Sequence, residues 1–426
     1  MQDVAIETAP TTVGAPQPDA ETVSASFDGR RGPLFRLCLV NLLLTIVTFG
    51  VYRFWARTHV RRYFWSHTRI GTDRFEYTGT GLELLIGFLI FVAAVTIPGV
   101  VLELLAPMVA SYLGTWHAMA FSAGLQILYA IGLPCLIWVA VYRMWRYRLS
   151  RTLWRGIRFH LGGSTWAFVV RSIKRSIIVI LTLGIGWPYF SIGQTRDIAT
   201  NARFGTTLFS FNGSGMSLLG AWLVHWGITV ASIVGVIALF GSEATGAGEI
   251  KFHVSALIPG IVAGAIVLAS LVRYQVVERR YVLSHLGFAE AQFESNLSSG
   301  AVLGTVLLYL FALAWVVVAG VLVGWGVFLL TASGLPVPAD AGTISEDLLG
   351  KFSIPVVLAL SIMILFVSVL SPSLKHVVLT FGFAHHFFST LRVINPQAFD
   401  RATRDTTAEM PRFGEGLAQG FDIGAI

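Results

Sequence analysis

Arginines set beside aromatic rings are the groups in this chain best equipped for chemistry. A guanidinium can donate two parallel hydrogen bonds to one phosphate. Near a membrane surface each Lys or Arg attracts anionic headgroups by about 1 kcal/mol. Five arginines stand out by position: Arg62, Arg146, Arg155, Arg158 and Arg196. They are candidate contacts for an anionic lipid or an anionic solute. The stretch 143–175 concentrates this character, with nine cations and no carboxylate. Three readings fit the pattern. The cations orient the protein and snorkel while Trp and Tyr anchor at the headgroups; they bind anionic headgroups; or they line a route for an anionic solute.

Two polar residues lie inside apolar runs, Asn41 and His225. An intramembrane ionisable group is a functional candidate by default. For His225, between Trp222 and Trp226, the competing reading is a neutral imidazole hydrogen-bonded to a neighbouring helix. Asn41 suits a helix–helix contact. Cys38 and Cys135 lie in apolar runs without a His or Cys at metal-ligand spacing, so neither is given a redox or metal role. Gly79-Thr80-Gly81 and Gly213-Ser214-Gly215 each open an apolar run, and helix N-termini favour phosphate. No Lys follows as it would in a phosphate-binding loop. No nucleophile, paired carboxylate or metal set stands out. The chain is therefore expected not to be an enzyme and to need no cofactor.

The elements that must position these residues repeat along the chain. Thr48 to Gly79 maps onto Thr182 to Gly213 without a gap, pairing Arg62 with Arg196 and Phe75 with Phe209. The second half recurs twice more, around Arg146–Tyr147 with Phe159, and around Arg280–Tyr281 with Phe293. A weaker copy is read at Lys375 with Phe388. Self-similarity of this kind means that one structural unit is reused.

The chain has 426 residues, 55% apolar and only 12% charged. Apolar runs longer than about 18 residues signal bilayer-spanning helices. Eight apolar segments are read: Leu34–Tyr52, Leu82–Leu105, Ala118–Tyr142, Ile177–Phe190, Ser217–Phe240, Val254–Tyr274, Ala301–Leu330 and Ser353–Leu370. Basic links flank the fourth on both sides, which strict alternation cannot place in the cytoplasm. The net charge of +7 fits membrane topology, and no nucleic-acid partner is expected. The first and fourth segments are also short and interrupted by polar residues, Gly or Pro. The expected fold is an all-α polytopic membrane protein. It has about six full transmembrane helices plus two short re-entrant or interfacial segments.

Period-two alternation at Phe75 and Tyr77, at Ile157, Phe159 and Leu161, and at Phe209 and Phe211 predicts short cytoplasmic β-strands in the repeated basic motif. Ala25 and Phe27 look like another copy. The organisation read is a disordered tail over 1–26, membrane repeats over 27–140 and 141–274, a divergent third unit over 275–394, and a flexible tail over 395–426.

These motifs resemble the YjgN-like family of bacterial inner-membrane proteins, a domain of unknown function. The resemblance rests on Asn41 to Tyr52 (NLLLTIVTFGVY), Trp55–Ala56, Arg62–Tyr63–Phe64, Thr68, Gly71, Phe75, Tyr77 and Gly79. In the second half it rests on Thr152, Trp154 to Phe159 (WRGIRF), Thr182-Leu183-Gly184, Pro188, Asn201 and Phe204-Gly205. The chain departs at Ser66-His67-Thr68, where many members have Gly-Asn-Thr. The resemblance implies a multi-pass protein of the bacterial inner membrane and brings no activity, cofactor or catalytic residue. The leading functional reading is a transport or channel-like protein, since internal repeats are common in such folds. The alternative is an anionic-lipid-binding or membrane scaffolding protein without translocation. Membrane lipids are the expected partners, and the oligomeric state is left open.

Overall fold

In a computed structural model, residues 21–241, 254–333 and 346–403 are described. The chain opens with β1 (Thr22–Phe27). A helical pair follows, α1 (Arg31–Val47) and α2 (Arg53–Ser66), leading into β2 (Thr68–Ile70) and β3 (Asp73–Tyr77). Next come α3 (Gly81–Leu113), α4 (Thr115–Arg151), β4 (Thr152–Trp154) and β5 (Ile157–Leu161). Then α5 (Thr165–Leu181), α6 (Trp187–Ala199), β6 (Ala202–Phe204) and β7 (Thr207–Phe211). The pattern continues with α7 (Leu219–Gly241), α8 (Val254–Ser284), β8 (Leu286–Phe288) and β9 (Ala291–Ser295). It ends with α9 (Ser299–Ala332), α10 (Glu346–Leu374), a π-helical turn (Lys375–Thr380), α11 (Phe381–Thr390) and β10 (Leu391–Ile394). A short 3-10 helix, Pro396–Arg401, follows.

The strands close into one antiparallel barrel in the order β1-β10-β9-β8-β7-β6-β5-β4-β3-β2. This corrects the expectation of an all-α protein with short cytoplasmic strands. The expected strands at Phe75, Phe159 and Phe209 are present, and register places Phe75 opposite Trp154, Phe159 opposite Phe204 and Phe209 opposite Phe288. What alternation could not show was closure. Each run is three to five residues, and its partners come from units far along the chain. β1 seals the ring: Thr22 to Ser24 pair with β10, and Ala25 to Phe27 pair with β2. Described structure thus begins inside the stretch read as the tail 1–26 and runs past 395; the remainder of both tails lies outside the described residues, as do 242–253 and 334–345.

Each tight β-hairpin turn is followed, at the other end of its strands, by a helical pair that leaves the barrel and returns. Among the described residues, six helices are long and apolar enough to cross a membrane, in α3, α4, α7, α8, α9 and the run from α10 through α11. They pack as pairs, α3 with α4, α7 with α8, and α9 with α10. Small residues allow the last pair to close. A Cβ on Gly324 would stand 2.9 Å from the Ala359 carbonyl oxygen, so the backbones approach as small-residue membrane interfaces permit. The pairs α1–α2 and α5–α6 are different. They contain the two short apolar segments, and none of their helices is among the six long and apolar enough to cross a membrane.

Helix starts follow local chemistry. Thr80, Ser164 and Ser214 sit at equivalent exits from the barrel, and their hydroxyls accept from the backbone N–H of Glu83, Ala167 and Met216. Such caps satisfy donors that a helix leaves unpaired. These hydroxyls are occupied in starting helices.

The barrel is filled. An eight-stranded barrel is about as wide as its own side chains can fill, and ten strands enclose more. The extra space is taken by large aromatics and by the 3-10 helix, which inserts Phe399. Phe399 stacks on Phe288 with centroids 4.4 Å apart, and Trp154 meets it edge-on at 5.1 Å. Phe204, Phe288 and Val393 have no solvent exposure. The segment is also tied to the hairpin turns, through Arg401 to Glu290 at 2.9 Å and Thr206 N–H to the Thr403 carbonyl at 3.2 Å.

Phe399→Ala is expected to lower stability by about 3–5 kcal/mol, the usual cost of emptying an aromatic site in a core. Phe49→Ala, at a tip that is 98% exposed, should change it by no more than about 0.5 kcal/mol in detergent. Thermal unfolding of the two purified variants checks this; equal shifts would contradict the plug.

Candidate functional site

The repeated basic motif lies where returning helices enter the barrel. Arg62, Arg146, Arg196 and Arg280 each stand six residues before the strand that follows. Each guanidinium donates to a backbone carbonyl seventeen residues on. The acceptors are Gly79 at 3.5 Å, Gly163 at 2.6 Å, Gly213 at 2.5 Å, and Leu297. That carbonyl sits between the end of a strand and the start of a helix, where neither ladder nor helix supplies a donor. A charged donor contributes about 1.5–3 kcal/mol in such a bond. At Gly79 and Gly213 the last aromatic of the strand folds over the acceptor residue, and at Gly163 a positive φ of 80° and the Asn201 side chain leave no room for a Cβ. A Cβ on Gly79 would lie 2.5 Å from the Tyr77 hydroxyl, and one on Gly213 2.6 Å from the Phe211 ring.

The next residue in each copy reaches the preceding unit. The Tyr63 hydroxyl accepts from the Arg30 N–H and donates to the Arg30 carbonyl, both at 2.7 Å. Burial holds the Tyr63 hydroxyl above its ordinary pKa, against the opposing effect of the Arg30 backbone bond, so it stays protonated and able to donate. Tyr147 donates to Glu83 at 2.5 Å, and Tyr281 accepts from the Ser214 N–H at 2.7 Å. In the third copy the residue is Asp197, which pairs with Arg171 at 3.0 Å and Arg175 at 2.7 Å on α5. A tie between the two helices of the pair is kept, made within α5 and not at its start. Each unit is stapled to itself by Arg and to its predecessor by the residue after it.

Of the candidate arginines, Arg62, Arg146 and Arg196 therefore occupy three separate returns. Arg155 lies in the β4–β5 turn at φ 52°. It donates to Asp73 at 2.5 Å and to Asp400 at 2.6 Å, holding the plug to the barrel. Arg158 donates to the Ser150 carbonyl at 3.2 Å and the Thr78 hydroxyl at 3.4 Å. All five have protein partners, and the structure does not gather them around one point. Lys375, read as a further copy, falls in the π-helical turn, sixteen residues before β10. The position matching Arg62 is His385.

The two short helical pairs are closed at their tips by one device. Thr48 donates to the Leu44 carbonyl at 2.7 Å and accepts from the Tyr52 N–H at 2.9 Å. Thr182 does the same with Ile178 and Gly186, at 2.7 and 2.9 Å. Phe49 and Leu183, both at φ 50°, then turn the chain with Gly50 and Gly184 at φ 88° and 90°. A positive φ is costly for a residue with a Cβ, and here two apolar side chains accept it at exposed tips. Asn41 joins the first pair, its amide donating to the Ala56 carbonyl at 3.5 Å and its carbonyl lying 3.4 Å from His59 Nδ1. Burial, with the Arg62 charge second, lowers the His59 pKa and keeps the ring neutral in this contact. Burial pushes the Cys38 thiol up to about 11, leaving it a packing group.

α7 supplies donors to the backbone of the second tip. Trp226 and Trp222 donate to the carbonyls of Leu183 and Gly184, each at 2.9 Å. Backbone polar groups at membrane depth need such partners. Between them, His225 Nδ1 lies 2.7 Å from the Ser270 hydroxyl on α8. The structure therefore places His225 in an interhelical hydrogen bond. Sequence reasoning missed Asp197 and the tip-sealing role of the tryptophans; the legible signal was their place beside a repeat whose tip lacks regular pairing.

A family model described as a bacterial protein of unknown function (DUF898) matches residues 22–420. Inner membrane protein YjgN of Salmonella typhimurium is 35% identical over 75 residues, covering 17% of this chain and 19% of that protein. Inner membrane protein YjgN of Escherichia coli is 36% identical over 74 residues, with the same coverage. The matched region thus spans about a fifth of these curated relatives. No solved structure matches the chain.

Arg196→Gln is expected to destabilise the protein by about 1.5–3 kcal/mol in thermal unfolding, the worth of a charge-assisted bond, and to leave anionic-lipid retention unchanged. Lost retention at unchanged stability would instead make this arginine a lipid contact.

Proposed function

We propose that this chain, which belongs to that bacterial family of unknown function, is a lipid-organising scaffold that wedges one leaflet of the inner membrane without translocating a solute. The observation that carries this reading is the pair of short helical hairpins with apolar tips, Phe49 98% and Leu183 80% exposed. The seventeen residues of α1 rise about 25 Å, short of the roughly 30 Å hydrocarbon core. Both hairpins leave from the barrel side, so both enter the same leaflet. Three helical pairs cross; two add volume to one leaflet only. The basic motifs all lie at the barrel end, which by the positive-inside rule faces the cytoplasm.

Transport is less well supported. The barrel interior is an aromatic core and offers no lumen. The apolar windows of the candidate spans are only 6% to 17% buried, in keeping with separate pairs in lipid more than with a closed bundle around a cavity. A transporter would place its site near the midplane between packed repeats.

An environment-sensitive label at Phe49→Cys or Leu183→Cys, in a background without Cys38 and Cys135, should be quenched by nitroxides on lipid acyl chains and resist aqueous iodide. Protein reconstituted with its barrel outside should also be enriched on small, highly curved vesicles over large ones. Iodide quenching at both tips, or equal density on both vesicle sizes, would defeat the wedge.

A further inference from the structure

The sixth span changes pitch where it meets the first hairpin. Its π-helical turn, Lys375–Thr380, follows closely on Pro372, which lacks the N–H that an α-helical ladder needs. π-helical turns are frequent at functional sites. Two polar atoms of this turn, His376 Nδ1 and Thr380 Oγ1, are buried with no hydrogen-bond partner. They are four residues apart, close to one π-helical turn, and so lie toward one side. Leaving such a group unpaired costs about 1–3 kcal/mol, and two together need an explanation.

Their surroundings are cationic. The charges of Lys375, Arg57 and Arg61 all bear on His376. Arg57 and Arg61 are one helical turn apart on α2 and share a face. Arg61 also donates to the Tyr77 hydroxyl at 3.3 Å, at the end of β3, which fixes this cluster at the level where helices enter the barrel. Beside it Leu34, Cys38, Val60 and Phe381 form a buried apolar cluster. Polar groups and cations thus stand beside an apolar wall.

We propose that the π-helical turn and the Arg57–Arg61 face of α2 form a site for a phosphate group, carried either by an anionic phospholipid or by a free phosphate ester. His376 and Thr380 supply neutral donors, and Lys375, Arg57 and Arg61 balance the charge. The site uses none of the five arginines considered above. It is independent of the leaflet wedge, because vesicle-size preference can fail while phosphate binding holds.

The test uses the purified full chain, delipidated and then offered phosphatidylglycerol or phosphatidylcholine, with retention read by native mass spectrometry. Inorganic phosphate is titrated in parallel by thermal shift. Wild type should retain phosphatidylglycerol over phosphatidylcholine, and Lys375→Gln with His376→Gln should weaken that retention about tenfold or more, as expected for lost charge-assisted bonds. Thr380→Val, nearly isosteric, should weaken it without unfolding the chain. Arg392→Gln, an exposed cation on the barrel wall, should not. A thermal shift with phosphate and no lipid preference would identify a free phosphate ester as the source. Equal retention of both lipids with no phosphate shift overturns the site, as does an Arg392→Gln loss matching that of the double variant or full retention by Thr380→Val.

Discussion

Strands of three to six residues cannot persist as an open sheet, and closure is the condition on which this molecule depends. Each strand offers too few backbone pairs to hold an edge against water, and an exposed edge invites foreign pairing. A ring removes both edges. Everything else is arranged to permit it: tight turns at one end, helical excursions at the other, and aromatic side chains alternating inward to fill the space. The ring in turn decides where every helix begins, since each excursion must leave from one strand and come home beside it.

The Arg–Tyr pair is the fastening of that ring. Its repetition had three readings in terms of membrane surface, and the geometry supplies a fourth use, within the protein. A guanidinium reaches the same carbonyl position in four copies, and the following residue ties neighbouring units together. The substitution of Asp197 for Tyr is informative, because α5 meets it with Arg171 and Arg175. The returning helix is still tied to the helix that left, through a different pair of groups. Positive charge at the membrane surface can then follow from the fastening as well as from topology.

Much of this was legible from the residues. Alternation around Phe75, Phe159 and Phe209 marked strands, and the polar and Gly interruptions of Leu34–Tyr52 and the shortness of Ile177–Phe190 set them apart from the other six runs. The repeat also marked the arginines. What could not be read was partnership. β1 finds both its partners by folding, Phe399 shows no periodicity that would announce a plug, and Pro396–Arg401 sits in a stretch that looks like a loose tail. The register of the last copy also failed, since Lys375 matches by spacing to a Phe while His385 matches by place in the fold. Local pattern reports what a residue could do, and closure depends on contacts at the greatest separation in sequence.

The seam between β1 and β10 has a consequence for biogenesis. Thr22 pairs with Ile394, so the first strand made waits for the last. During synthesis the ribosome delivers every membrane span before the ring can close, and insertion into the bilayer precedes completion of the barrel. Contacts this far apart in sequence form slowly, and unpaired strands exposed meanwhile are prone to misassembly. Once inserted, the helical pairs hold their flanking strand ends at the membrane surface and lower the entropy cost of the final pairing. The lipid bilayer thereby acts as a template for a water-facing barrel, and a chain cut before its tenth strand would leave an assembled set of spans carrying an open, sticky rim.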